Sequence, residues 1–201
     1  MIDITQAPYN CDPTGQTDSR SGFQDALDQA GDVYVPPGTY LIDVPTAQGP
    51  FDPVLDVKSN TNLFGDGTQL SKVVANADGR TSQWRIIGSV SGFDNVRIAD
   101  LSINCGWDKS HSYGGETCQG FIADTVPADD GVEPRVFSRL SLERVHIEHV
   151  GGDPFYLGQG TIYTQTIGCT ASHYNRQGWQ CAGSHFKLIG FRDWDKKNDS
   201  H

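Results

Sequence analysis

The side chains best suited to chemistry fall in three short segments toward the end of the chain. Glu148, His149, Asp153 and Tyr156 lie in EHVGGDPFY, His173, Arg176, Gln177 and Trp179 in HYNRQGW, and Arg192, Asp193, Trp194 and Asp195 in RDWD. Carboxylates do acid/base work, aromatic rings cover the apolar face of a pyranose, and a guanidinium pairs with a uronate carboxylate. Gathered in one groove, these groups suit a sugar site. Asp153, Glu148, Asp193 and Arg176 are its catalytic candidates, and Tyr156, His173, Gln177, Trp179 and Trp194 its substrate contacts. Each also has a plainer reading. Asp153 before Pro154 shapes a turn, Arg176-Gln177-Gly178 forms a turn held by hydrogen bonds, and His173 is a solvated loop residue. Glu148 and His149 are neighbours on a strand, so alternation lets only one of them face a groove.

Repetition is what can bring such segments together. Apolar or small residues follow the pattern h-x-h-x-x-h-x-h at 96, 98, 101 and 103, again at 140, 142, 145 and 147, and again at 164, 166, 169 and 171. The pattern returns with Phe186, Leu188 and Phe191, and Asp193 takes the fourth, nominally inward place. The first members, 96, 140, 164 and 186, are 44, 24 and 22 residues apart. A coil of 22–24 residues fits the last two steps, and 44 is two coils or one with an insertion. The x-x break reads as a bend between adjacent sheets, and equivalent positions on successive coils then stack about 5 Å apart.

One helix precedes the repeats. Phe23, Ala26, Leu27 and Ala30 fall on one helical face, Thr17, Asp18 and Ser19 are N-cap candidates, and Gly31 sits where a C-cap wants positive φ. Val33, Val35, Tyr40 and Ile42 then flank the Pro36-Pro37-Gly38 turn. The expected organisation is an N-terminal arm and capping helix (1–32), coils over 33–192 with a Gly- and Asp-rich insertion at about 105–135, and a polar tail (193–201). A solenoid needs both ends covered. Nothing in the sequence looks like a C-terminal cap, so a partner, a trimer neighbour or further chain is expected there.

The stretch DPTGQTDSRSGFQDALDQAGDVYVPPGTYLI resembles the opening of the pectate-lyase superfamily, and LDVKSNTNLFGDG and NVRIADLSINCG resemble its later coils. HIEHVGGDPFYLG, CTASHYNRQG and SHFKLIG resemble the coils on which such proteins carry their sites. The resemblance implies an all-β fold, a single-stranded right-handed parallel β-helix with an N-terminal capping helix. It leaves activity open, because the superfamily includes lyases, hydrolases, uronate epimerases, phage tail spikes and non-catalytic proteins. The Asp-Pro-His of the epimerases is only partly kept: Asp153-Pro154 is followed by Phe155, and the acid expected one coil later falls near Ala182.

Bulk properties narrow the partners. A net charge of −10 over 201 residues argues against a nucleic-acid partner. It disfavours an anionic polysaccharide unless cations or a local basic groove intervene, and it is compatible with a neutral glycan. No apolar run is long enough to span a membrane, so membrane insertion is not expected. MIDITQAPYN does not read as a signal peptide, which fits a virion protein or a chain whose signal has been removed. Five cysteines cannot all pair within the chain. Cys105 and Cys118 could close a loop, but mostly reduced thiols are expected. Cys105, His111 and Cys118 match no common zinc spacing, so no metal ligand is assigned. Asp124, Asp129 and Asp130 could hold Ca²⁺ through loop oxygens, the plainer reading being an acidic solvated loop. The short chain and incomplete Asp-Pro-His favour a phage tail or surface protein that binds host polysaccharide, in the virion tail or outside the cell, as a homotrimer or with other virion proteins. The alternative is a polysaccharide-degrading lyase or glycoside hydrolase.

Overall fold

The computed structural model describes residues 1–46, 52–78, 83–108, 118–124 and 135–194. The arm contributes β1 (Ile2–Asp3) and β2 (Thr14–Asp18), followed by α1 (Arg20–Asp28). Five coils then supply three strands each. They are β3 (Gly31–Val35), β4 (Gly38–Asp43) and β5 (Pro53–Asp56); β6 (Thr61–Gly65), β7 (Ser71–Asn76) and β8 (Trp84–Ser89); β9 (Phe93–Ala99), β10 (Ser102–Asn104) and β11 (Cys118–Ala123); β12 (Phe137–Glu143), β13 (His146–Val150) and β14 (Phe155–Leu157); and β15 (Thr161–Ile167), β16 (Thr170–Tyr174) and β17 (Trp179–Cys181). β18 (Ser184–Ile189) and β19 (Arg192–Trp194) begin a sixth.

Sheet A has the order β1-β3-β6-β9-β12-β15-β18, sheet B β19-β16-β13-β10-β7-β4-β2, and sheet C β17-β14-β11-β8-β5. Strands of successive coils pair in parallel, from β1 with β3 through to β16 with β19. The molecule is a right-handed parallel β-helix with one short helix near its N-terminus, as the sequence predicts. The arm is part of the sheets, since β1 and β2 pair with β3 and β4.

The inward ladder follows the predicted pattern. Val96 pairs with Leu140, Ile98 with Leu142, Ile103 with Ile147, Thr164 with Phe186 and Ala171 with Asp193. The step of 44 is one coil, because β12 pairs directly with β9. The excursion in that coil contains a strand that the sequence reading placed inside an insertion: β11, CQGFIA, belongs to sheet C. Its residues are buried on both faces, like those of β8, so it lacks the alternation that marks a half-exposed strand. At the last coil, β19 extends through Trp194, into the stretch read as tail.

At the first coil, α1 buries Gly22, Phe23, Ala26 and Leu27. Its Gln24 amide donates to the Asp56 carbonyl at 3.0 Å and accepts from the Asp56 N–H at 2.8 Å. One side chain thus occupies both backbone groups on the open edge of sheet C. Ser19 is the N-cap residue, but its hydroxyl accepts from the Asp12 N–H at 2.9 Å, and the Asp18 carboxylate serves the Arg20 N–H at 2.9 Å. Ala30 and Gly31 both take positive φ, 55° and 75°, and Ala30 leaves the buried helix face.

The bend between sheets A and B repeats a left-handed residue: Asp100 (φ 57°), Arg144 (50°), Gly168 (62°) and Gly190 (63°). Outside, ion pairs tie β9 and the residue after it to β12 and the residue after it. Arg97 meets Glu143 at 2.8 Å, Arg144 grips Asp100 at 2.6 and 2.7 Å, and Arg139 pairs with Asp94.

All five cysteines are free. Burial pushes the thiol of Cys11 up to about 12, that of Cys169 up to about 11, and raises that of Cys105 as well. A thiol reagent at about pH 8 is therefore expected to label half-buried Cys181 first, and the four buried thiols only after unfolding. Mass spectrometry of the labelled peptides reads this directly. Gly88 provides a stability test. It holds φ 146°, and a Cβ there would lie 1.8 Å from the Ile122 carbonyl oxygen of the next coil. Gly88→Ala should cost about 3 kcal/mol or more, seen as a lower urea midpoint.

Candidate functional site

Outward positions of sheet B form columns across the coils. One runs Ser102, His146, Thr170, Arg192, and the next Asn104, Glu148, Ser172, Trp194. Beside them, His149 and His173 adopt left-handed backbone at φ 55° and 50°. Each left-handed residue interrupts the inward-outward alternation of its strand without shifting the register, and Val150 and Tyr174 then return to the core as a register pair. Strict alternation fails here, contrary to the sequence expectation. Glu148 and His149 are both half-buried on the outer side, and neither points into the core.

The result is a compact polar cluster. The His149 and His173 rings lie parallel, 4.9 Å apart and 4° from coplanar orientation. Ligand-type atoms of Glu148, His149 and His173 all lie within 4.8 Å of one another. His146 Nε2 sits 3.6 Å from Glu148 Oε2 and 3.3 Å from Ser172 Oγ, and its Nδ1 is 2.9 Å from Thr170 Oγ1. The Asn104 amide donates to Glu148 Oε1 at 3.4 Å. Burial holds the His146 imidazole below its ordinary value, and the Glu148 carboxylate partly opposes that. Trp194, 48% exposed, stacks on His146 at 5.5 Å and 12°. This surface offers a flat aromatic plate beside neutral and anionic hydrogen-bonding groups.

The predicted single groove resolves into separate places. Glu148, His173 and Trp194 share the outer face of sheet B. Asp153 is 0% exposed, accepts from the Gln177 N–H at 2.9 Å and lies 3.5 Å from Arg176 Nη1. These three tie the turn after β13 to the turn after β16, so the plainer reading of Asp153, Arg176 and Gln177 accounts for their contacts. Asp193 is placed above Ala171 on the inward column and accepts from the Tyr174 hydroxyl. Desolvation, then this bond, raises the Tyr174 phenol. Trp179 follows Phe155 in register and packs on Phe186 at 5.3 Å. Tyr156 lies on sheet C between Ile122 and Gln180. Of the Ca²⁺ candidates, Asp124 ends the described part of its loop, and Asp129 and Asp130 lie outside the described residues, as does His111.

Sequence reasoning missed His146 and Ser172, and it let only one of Glu148 and His149 face a groove. The signal was present: His149 and His173 are 24 residues apart, the coil length of that part of the chain.

Residues 7–173 match the family described as Rhamnogalacturonase A/epimerase, pectate lyase-like. The chain belongs to that family. No curated protein matches it by sequence. Among solved structures, the A-module of mannuronan C-5 epimerase AlgE6 from Azotobacter vinelandii is similar over 98% of this chain and 57% of its own, with a TM-score of 0.70 and 18% identity. A tailspike protein mutant of E. coli bacteriophage HK620, solved with a pentasaccharide, is similar over 96% of this chain and 35% of its own, with a TM-score of 0.66 and 13% identity. An N-terminal fragment of gene product 12 of bacteriophage Phi29 is similar over 95% and 36%, with a TM-score of 0.62 and 17% identity. At these identities the likeness is one of fold, and the chain spans little more than half the length of the epimerase module. Phe155, which follows Asp153-Pro154, is fully buried.

The Asp153 geometry makes a structural prediction. Asp153→Ala strips the Gln177 N–H of its acceptor and should lower unfolding stability by about 1–3 kcal/mol. Chemical denaturation measures this.

Proposed function

We propose that this chain is a polysaccharide-binding β-helix of the phage-tail kind, and that the outer face of sheet B is its glycan surface. The observation that carries this reading is the stacked Trp194–His146 pair flanked by Glu148, His149 and His173. A pyranose presents an apolar face to such a ring and hydroxyls to the surrounding acceptors and donors. The dispersal of the predicted acids supports binding over hydrolysis. Glycoside hydrolysis uses two carboxyl groups about 5–9.5 Å apart across the scissile bond, whereas Asp153 is buried against Arg176 and Asp193 faces Tyr174. The tailspike neighbour solved with a pentasaccharide lends support by analogy of fold. On this reading the protein works in the virion tail or outside the cell, as a homotrimer or with other virion proteins. Among the described residues no helix is long and apolar enough to cross a membrane.

The second reading is a polysaccharide-degrading lyase or hydrolase, favoured by the contact between His146 and half-buried Glu148. The two readings separate experimentally. Binding to a glycan panel is expected without release of reducing ends or unsaturated uronates, and Trp194→Ala should weaken it roughly tenfold or more. Turnover that disappears in Glu148→Gln would establish the enzyme instead. Unchanged glycan affinity in Trp194→Ala would remove sheet B as the surface.

A further inference from the structure

We propose that Glu148, His149 and His173 form a binding site for one zinc ion on the outer face of sheet B. Two imidazoles and one carboxylate are a zinc donor set, and three protein ligands leave a fourth position for water or a sugar hydroxyl. Hard, oxygen-seeking Ca²⁺ and Mg²⁺ are poorly served by two imidazoles. The inference goes beyond the glycan reading and stands or falls without it.

The backbone builds this site. Parallel pairing of β13 with β16 sets position 149 beside position 173. The left-handed backbone at both positions turns the two imidazoles outward together, where regular strands would send Glu148 and His149 to opposite faces. The rings therefore stack, and Glu148 closes the third side. Neighbours orient the ligands. Ser172 Oγ lies 3.2 Å from His173 Nδ1, and the Asn104 amide donates to Glu148 Oε1. Zinc–nitrogen bonds of about 2.0–2.1 Å put the donors of one tetrahedron about 3.3 Å apart. The donors now lie within 4.8 Å, so zinc binding draws them closer and turns the two rings out of their parallel stack until both point at one ion. All three ligands are half-buried, which shields the ion while keeping an entry path from solvent.

The test uses the full chain, untagged and stripped of metal with a chelator. Titration with zinc chloride by calorimetry should show one ion per chain. Asn tolerates left-handed backbone, so His149→Asn and His173→Asn keep the backbone while changing the ligand. Each should weaken zinc binding by more than the 10–100-fold typical of losing an outer-sphere partner. Zinc should also raise the thermal midpoint of the wild-type chain and leave that of His149→Asn/His173→Asn unmoved. Absence of saturable binding at sub-millimolar zinc overturns the proposal. So does binding of wild-type strength in the double variant, which would place the ion elsewhere, for example on the thiols. Glycan affinity plays no part in either readout, so failure here leaves the glycan surface standing, and the reverse.

Discussion

Everything in this molecule depends on coil-to-coil backbone pairing in fixed register. Each parallel strand offers its N–H and C=O groups to the same strand one coil on, so the lateral position of a side chain is handed from rung to rung. Inward, this produces continuous ladders such as Val96, Leu140 and Thr164. Outward, it produces the columns that bring His146 near Trp194 and His149 against His173. The core and the surface cluster are two faces of one registry.

That registry explains how much could be read beforehand. The two-sheet pattern at 96–103, 140–147 and 164–171 is visible because sheets A and B expose their outer faces, so apolar and polar residues alternate. Sheet C hides both faces of β8 and β11, and a strand such as CQGFIA then carries no period to recognise. The site was half legible. Glu148, His173 and Trp194 were legible from residue type and coil spacing. The turn of backbone that keeps His149 outward was not, because a left-handed histidine leaves no mark in composition. Asp153 looked chemical because it precedes a proline in a familiar motif. Its burial depends on Arg176 and Gln177, which only the folded coil brings beside it.

The likeness to the solved structures is one of scaffold. Phe155 fills the core beside the buried Asp153, and the imidazoles of His146, His149 and His173 lie on the outer side of sheet B. A rigid prism of strands tolerates such a surface cluster, since any outward column of any sheet can be decorated without disturbing the ladders within.

The ion pairs on the outside of sheet A carry a separate implication. Arg97–Glu143, Arg144–Asp100 and Arg139–Asp94 join segments that flank the longest excursion of the solenoid, at sequence separations of 44 to 46 residues. Between those segments β10 and β11 are laid into sheets B and C, and the pairs add a fastening of one rung of sheet A to the next. Closure entropy grows only slowly with loop length, so the stretches outside β10 and β11 can differ in length at little cost to the rung. A change of length there would alter what the shaft displays, while the thread of the screw above and below keeps its pitch.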